Sequence, residues 1–246
     1  MTRNSKVEKM RPFKLVIFDC DGVLVDSERL TNQVFIDMLA VEGVNITLHE
    51  IMENYVGIPL LDGIALLEKL HQFKLPENFI TRFNQQSMAV LESDLQPISG
   101  VEKVIRNLQM PFCVASNSRT EKVRAMLKIT GLFDYFNGKI FTASQVKHPK
   151  PAPDIYLYAA RAFNIAPSDC LVIEDTSVGV TAAKVAGMTV LGYAAQTSAT
   201  RLLEAGAHDV FADMKALPML IEHGKKPNTL QNTLESQHQS NTQLMA

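Results

Sequence analysis

Lys14-Leu15-Val16-Ile17-Phe18-Asp19-Cys20-Asp21-Gly22 decides how the rest of the chain is read. A short, unbroken apolar run that ends in acids and a glycine suits a strand buried on both faces, as in a parallel sheet, with a loop at its carboxyl end. Runs of the same character recur at Phe112-Cys113-Val114-Ala115, Lys139-Ile140-Phe141-Thr142, Cys170-Leu171-Val172-Ile173 and Thr189-Val190-Leu191-Gly192. Helical patterns separate them: Gly100 to Leu108, Glu121 to Thr130 before Gly131, Asp154 to Asn164 after a proline-rich turn, and Ser177 to Ala186 before Gly187. Strands alternating with helices predict an α/β layer fold with a parallel sheet and right-handed crossovers.

One interval breaks the alternation. Between Ser27 and about Gln96 the patterns are helical, over Leu30 to Glu42, Asp62 to Phe73 and Glu77 to Glu92, and none reads as a strand. This predicts an all-helical insertion over residues 27–96 in a core made of residues 13–26 and 97–222, with Pro97-Ile98-Ser99-Gly100 marking the return. Residues 1–12 and 225–246 lack apolar periodicity, and the second stretch fills with Gln, Asn, Ser and Thr, so both are expected to be flexible tails.

The 246 residues are 46% hydrophobic and 20% charged, ordinary for a globular protein. A formal net charge of −2 gives no general pull toward nucleic acid or acidic membranes. No apolar run approaches the ~20 residues that span a bilayer. Met1 to Arg11 is polar, with no apolar run and cleavage site after it, so a cytoplasmic location is expected. Cys20, Cys113 and Cys170 are odd in number, widely spaced and set in or beside apolar runs, as small buried thiols in a reducing compartment would be. Cys20 lies between two aspartates, but no His or Asn neighbour favours its thiolate.

In open parallel sheets ligands bind beyond the carboxyl ends of the strands. There the first run delivers Asp19 and Asp21, the second Ser116 and Asn117, and the fourth Glu174 and Asp175; the loop after the third carries Lys150. Taken singly, these are ordinary features: a solvated Asp-x-Asp loop, a helix cap at Ser116-Asn117 or Glu174-Asp175, a surface lysine between prolines. Joint placement at successive strand ends is what points to a site. Crowded carboxylates repel unless a cation shares their charge, and hard oxygen ligands favour Mg²⁺ over zinc. A lysine and a serine hydroxyl beside them suit a tetrahedral anion such as phosphate, and backbone N–H groups in the loop starting at Gly22 would cradle another of its oxygens. Two acids one residue apart can divide covalent catalysis, one attacking phosphorus and the other moving protons. Spacing alone leaves open which does which.

Asp19-Cys20-Asp21-Gly22-Val23-Leu24-Val25-Asp26-Ser27-Glu28, Ala115-Ser116-Asn117-Ser118, Lys150-Pro151-Ala152-Pro153-Asp154-Ile155-Tyr156 and Ile173-Glu174-Asp175-Thr176-Ser177-Val178-Gly179 resemble, in order, the four motifs of the haloacid dehalogenase-like hydrolases. The likeness covers roughly residues 13 to 222 and is to the branch with a helical cap inserted after the first strand. It implies a Rossmann-like, doubly wound core carrying that cap. It also implies Asp19 as nucleophile, Asp21 as general acid/base, Ser116 and Asn117 on the phosphoryl group, and Lys150 offsetting its charge. Mg²⁺ would be bound by Asp19, Asp175 and the Asp21 backbone carbonyl, with Glu174 acting through a water. Asp21 argues against dehalogenation, since the dehalogenases lack the second aspartate.

Within that family the chain is similar to the β-phosphoglucomutases and related sugar-phosphate phosphatases. Val56-Gly57-Ile58-Pro59-Leu60-Leu61-Asp62 resembles the cap's specificity loop, but Leu60 stands where the mutases place an arginine, and Thr31 where they place a hinge histidine. Both departures favour a phosphatase acting on small sugar or sugar-acid phosphates over a mutase. The intact acids and Lys150 argue against a non-catalytic binding protein. Arg119 is a further candidate for substrate contact, His148 reads as a solvated loop residue, and nothing in the sequence asks for an obligate partner, so a monomer is expected.

Overall fold

The computed structural model describes residues 13–55 and 60–223, apart from the side chains of residues 52–54 and 223. The specificity-loop residues 56–59 and the two tails lie outside that range. Six parallel strands form one sheet: β1 (Leu15–Phe18), β2 (Phe112–Ser116), β3 (Ile140–Thr142), β4 (Cys170–Glu174), β5 (Thr189–Tyr193) and β6 (Asp209–Phe211). Their order is β3-β2-β1-β4-β5-β6. The winding direction reverses between β1 and β4, and the crevice at such a reversal is where this class of sheet binds ligands.

All four residues of β1 are fully buried. Val16 and Phe18 enter one apolar cluster, Leu15 and Ile17 a second, as the twofold alternation of a strand requires. The first cluster takes residues from α5 (Val101–Asn107), α6 (Thr120–Ile129), α7 (Phe133–Phe136) and α11 (Leu217–His223); the second takes them from α8 (Asp154–Ala162), α9 (Ser177–Val185) and α10 (Ala199–Ala205). Helices thus cover both faces, and the sheet is doubly wound and Rossmann-like, as the sequence predicts.

Between β1 and α5 the chain forms α1 (Ser27–Val41), α2 (Leu48–Asn54), α3 (Leu60–His71) and α4 (Phe79–Asp94), and no strand lies there among the described residues. These helices share a third apolar cluster, with Val34, Phe35, Met38 and Leu39 of α1 against Ile51, Ile64, Leu67 and Phe79. The outgoing and returning chains run side by side: Asp26 N–H donates to Gln96 O (3.0 Å) and Ile98 N–H to Leu24 O (2.9 Å). Paired in this way, they anchor the helices beside the end of β1.

Several short elements escaped the sequence reading, α2, α7, α10, α11 and β6 among them, and two show why. α2 is only seven residues, too short for a periodic signal, yet its start is a capping box: Thr47 Oγ1 accepts from Glu50 N–H and Glu50 Oε2 accepts from Thr47 N–H. β6, three residues at the sheet edge, is too short to alternate. Leu39 is fully buried in the helical cluster. Leu39→Ala is expected to lower unfolding free energy by about 2–5 kcal/mol in denaturant titrations; a loss below about 1 kcal/mol would show that this cluster does not carry the helices' stability.

Candidate active site

β1 ends at Phe18, so Asp19 stands at the sheet's carboxyl edge, where its N–H still donates to Ile173 O (3.0 Å). β2 ends on Ser116 and β4 on Glu174, with Asp175 next in the chain. All four side chains are buried despite their polarity. Lys150 joins them from the loop before α8, with its side chain only 4% exposed. Its ammonium has three hydrogens and three acceptors: Asp19 Oδ1 (2.6 Å), Glu174 Oε1 (2.6 Å) and Ala115 O (2.9 Å). Burial works against this charge, but Asp19 and Glu174 overcome it and hold the Lys150 pKa well above the ordinary lysine value.

Glu174 accepts from four donors. Oε1 accepts from Lys150 and from the Tyr156 hydroxyl (2.8 Å), while Oε2 accepts from the N–H (3.1 Å) and hydroxyl (3.0 Å) of Thr176. Thr176 is also the N-cap of α9, its hydroxyl accepting from Gly179 N–H (3.1 Å). Asp175 is the opposite case, since its Oδ1 is buried and has no hydrogen-bond partner. Burial, with Glu28, Glu174 and Asp19 nearby, raises its pKa well above the carboxylate range. Oxygens of Asp19, Glu174 and Asp175 lie within 4.8 Å of one another. Five carboxyl groups (Asp19, Asp21, Glu28, Glu174, Asp175) gather here against the ammonium groups of Lys122 and Lys150. An orphaned buried oxygen within an all-oxygen acidic cluster fits a hard divalent cation.

Asp19 itself is pushed well up by burial, with Lys150 opposing the shift and Glu174 and Asp21 adding to it. Asp21 behaves differently. Its Oδ1 accepts from Ser27 Oγ (2.7 Å) and Lys122 Nζ (3.3 Å), and its Oδ2 from Ser118 Oγ (2.9 Å) and Ser116 Oγ (3.4 Å). Burial would raise its pKa, but Lys122 and the Ser27 and Ser118 hydroxyls outweigh that and lower it. Two carboxylates one residue apart therefore differ in charge preference, Asp21 favouring its charge and Asp19, with no cation beside it, favouring its proton. Cys20, between them, is buried with its thiol pKa pushed up, and so is not a nucleophile.

Gly22 and Asn117, both expected near the phosphoryl group, have partners within the protein. Gly22 N–H donates to Val25 O (2.9 Å) within the turn. Gly22 matters sterically: its φ is +75°, and a Cβ would stand 1.9 Å from Asp175 Oδ2. The Asn117 side chain also has other work. Its amide donates to Lys150 O (3.1 Å) and accepts from Lys150 N–H (2.9 Å), clasping the loop that presents the lysine. Arg119 is exposed at the N-cap of α6 and does not line the cleft, and His148 is an exposed residue paired with Asp154. Lys122, Tyr156 and Glu28 escaped assignment. Lys122 carried only a weak signal, lying in the first turn of the helix that follows Ser116-Asn117-Ser118.

The cleft has a volume of about 640 Å³, the size of a small-molecule site rather than a macromolecular groove. Asp19, Asp21, Ser116, Lys150 and Glu174 line it from the strand ends, and Glu28, Thr31, Asn32 and Leu60 line it from the helices.

A profile of the haloacid dehalogenase-like hydrolases matches residues 13–187. The phosphorylated carbohydrates phosphatase of Thermotoga maritima is 30% identical over 213 residues, 84% of this chain and 98% of its own. The 6-phosphogluconate phosphatase of Escherichia coli is 27% identical over 187 residues, 76% of this chain and 85% of its own. A crystal structure of a conserved haloacid dehalogenase-like protein from Agrobacterium tumefaciens shares 34% identity with a TM-score of 0.81, covering 86% of this chain and 98% of its own. The profile's span takes in all four acidic, hydroxyl and lysine clusters at the strand ends, and on fold, motif order and matched length the chain belongs to the haloacid dehalogenase-like hydrolase family.

Proposed function

We propose that this enzyme is a Mg²⁺-dependent phosphatase of small phosphorylated metabolites, sugar or sugar-acid phosphates, working through an aspartyl-phosphate on Asp19. The observation that carries the reading is Lys150 bridging Asp19 and Glu174 at 2.6 Å each beside the orphaned Asp175 oxygen. The relatives named as phosphatases of phosphorylated carbohydrates and of 6-phosphogluconate support the substrate class.

A carboxylate oxygen of Asp19 attacks phosphorus, and the bond to the leaving alcohol breaks as Asp21 delivers a proton to its oxygen. Asp21 then takes a proton from the water that attacks the phosphorus, and Asp19 leaves as a carboxylate with inorganic phosphate as product. Ser116 and Lys150 donate to the transferring group, where fixed donors in a dry site are most effective. Asn117 holds the Lys150 backbone in place for this. Asp19, Asp175 and the Asp21 backbone carbonyl would hold Mg²⁺, with Glu174 reaching it through water; bound there it offsets the repulsion between the nucleophile and an anionic phosphoryl group. Ser27 stands on α1, so movement of residues 27–96, which we read as the cap over a core of 13–26 and 97–222, would change the donors around Asp21 and exclude water. Leu60 faces the cleft where a mutase would need a cation for a second phosphate, which favours water as the acceptor.

Asp19→Asn is expected to keep the fold and lower phosphate release from a panel of sugar phosphates at least about a thousandfold. Substantial residual turnover would remove Asp19 as nucleophile, and conversion of hexose 1-phosphate to hexose 6-phosphate without phosphate release would favour a mutase.

Metal removal gives a second test. Burial raises Asp19 and Asp175, and lifts Glu28 from 4.5 to about 7. The folded, metal-free chain therefore holds protons that the unfolded chain has released, and stability falls as pH rises through that window. The depressed Asp21 loses its contribution only at lower pH and the raised Lys150 only in the alkaline range, so neither reverses the slope. In chelator the melting temperature is expected to fall between about pH 5 and 7.5, and saturating Mg²⁺, binding only the folded state, to restore it. A flat or rising profile in chelator, or no Mg²⁺ shift, would contradict the charge account.

A further inference from the structure

Glu28 lines the cleft yet has no part in the reaction above. With Thr31 and Asn32 it occupies positions i, i+3 and i+4 of α1, so three polar side chains share the face turned to the cleft. Val34, Phe35, Met38 and Leu39 of the same helix fill the apolar cluster behind. The Glu28 side chain is partly exposed, and its Oε2 is buried without a hydrogen-bond partner. A carboxylate oxygen buried unpaired carries a desolvation cost that a ligand donor would remove. Glu28 stands outside the Asp19, Glu174 and Asp175 trio whose oxygens converge within 4.8 Å. Lys122, the other cation lining the cleft with Lys150 among the described residues, pairs with Asp21.

The unpartnered Glu28 oxygen is free to accept a hydrogen bond from a ligand hydroxyl. The phosphate end of a substrate is taken by Ser116 and Lys150, so the part that reaches α1 belongs to the leaving alcohol. Thr31 and Asn32 beside Glu28 are neutral, which suits hydroxyl groups. We propose that Glu28 is a specificity-determining residue that accepts a hydrogen bond from a hydroxyl of the leaving group, so that the enzyme prefers hydroxyl-rich phosphate esters. This rests on the phosphatase reading and adds the side of the cleft that recognises the alcohol.

The test compares two esters on the full chain with Mg²⁺. One is whichever of glucose 6-phosphate, ribose 5-phosphate and glycerol 3-phosphate the wild type hydrolyses best; the other is p-nitrophenyl phosphate, whose leaving group carries no further hydroxyl. The readout is the ratio of their kcat/KM values. Glu28→Ala is expected to lower that ratio at least ~10-fold, the loss of one hydrogen bond to a charged group. Both esters are assayed at saturating Mg²⁺, and Glu28→Gln, which keeps an acceptor oxygen, is expected to recover part of the ratio. If both esters lose efficiency together, or if the ratio does not move in either variant, the assignment is overturned. Wild-type turnover of p-nitrophenyl phosphate but of none of the three hydroxylated esters also overturns it and leaves the phosphatase reading standing; no turnover of any ester removes that reading, and the assignment falls with it.

Discussion

The Lys150 ammonium, closed on three sides by Asp19, Glu174 and the Ala115 carbonyl, is the contact on which the rest of the site depends. It ties three strands together at one edge, because its acceptors come from β1, β2 and β4 or the residue next to them. A charge this deeply buried persists only when every hydrogen finds an acceptor. The surroundings meet that requirement: Asn117 clasps the Lys150 backbone, and Tyr156 and Thr176 hold Glu174 in position. Small residues allow the close approach. A Cβ at Gly179 would stand 1.7 Å from Glu174 Oε1, as one at Gly22 would collide with Asp175.

That one lysine does not balance the cluster. Negative groups outnumber positive ones, and the surplus appears as raised carboxyl pKa values at Asp19 and Asp175 and as an Asp175 oxygen with no partner. Stability and function pull in opposite directions here. The fold tolerates repulsion at one sheet edge because the β1 core beneath it is fully buried and the helices on both faces are well packed. On the proposed reading, a bound cation would offset that surplus and favour the charged form of the nucleophile.

Much of this was legible in the chain. The run ending at Phe18 has no polar residue to place on a solvent face, so it had to be a central strand, and the acids after it had to lie at the sheet's ligand edge. The separation between Asp19 and Asp21 was not legible, because it depends on Lys122, Ser27 and Ser118, which converge only in three dimensions. The loop at Gly22 was read as a phosphate cradle, and Asn117 was placed on the phosphoryl group by the family resemblance. The fold engages the Gly22 N–H and the Asn117 side-chain amide with backbone partners, which no spacing rule reveals. Glu28 lay in the quoted first motif all along, but only the face of α1 shows that it looks into the cleft.

The central claim, that Asp19 takes the phosphoryl group, can be read at a single residue. Acid quench during turnover of a sugar phosphate with Mg²⁺, followed by borohydride reduction and peptide mass spectrometry, converts a phosphorylated aspartate to homoserine. The account predicts homoserine at Asp19 and unmodified Asp21. Reduction at Asp21, or at neither aspartate in an enzyme that is turning over, would contradict it.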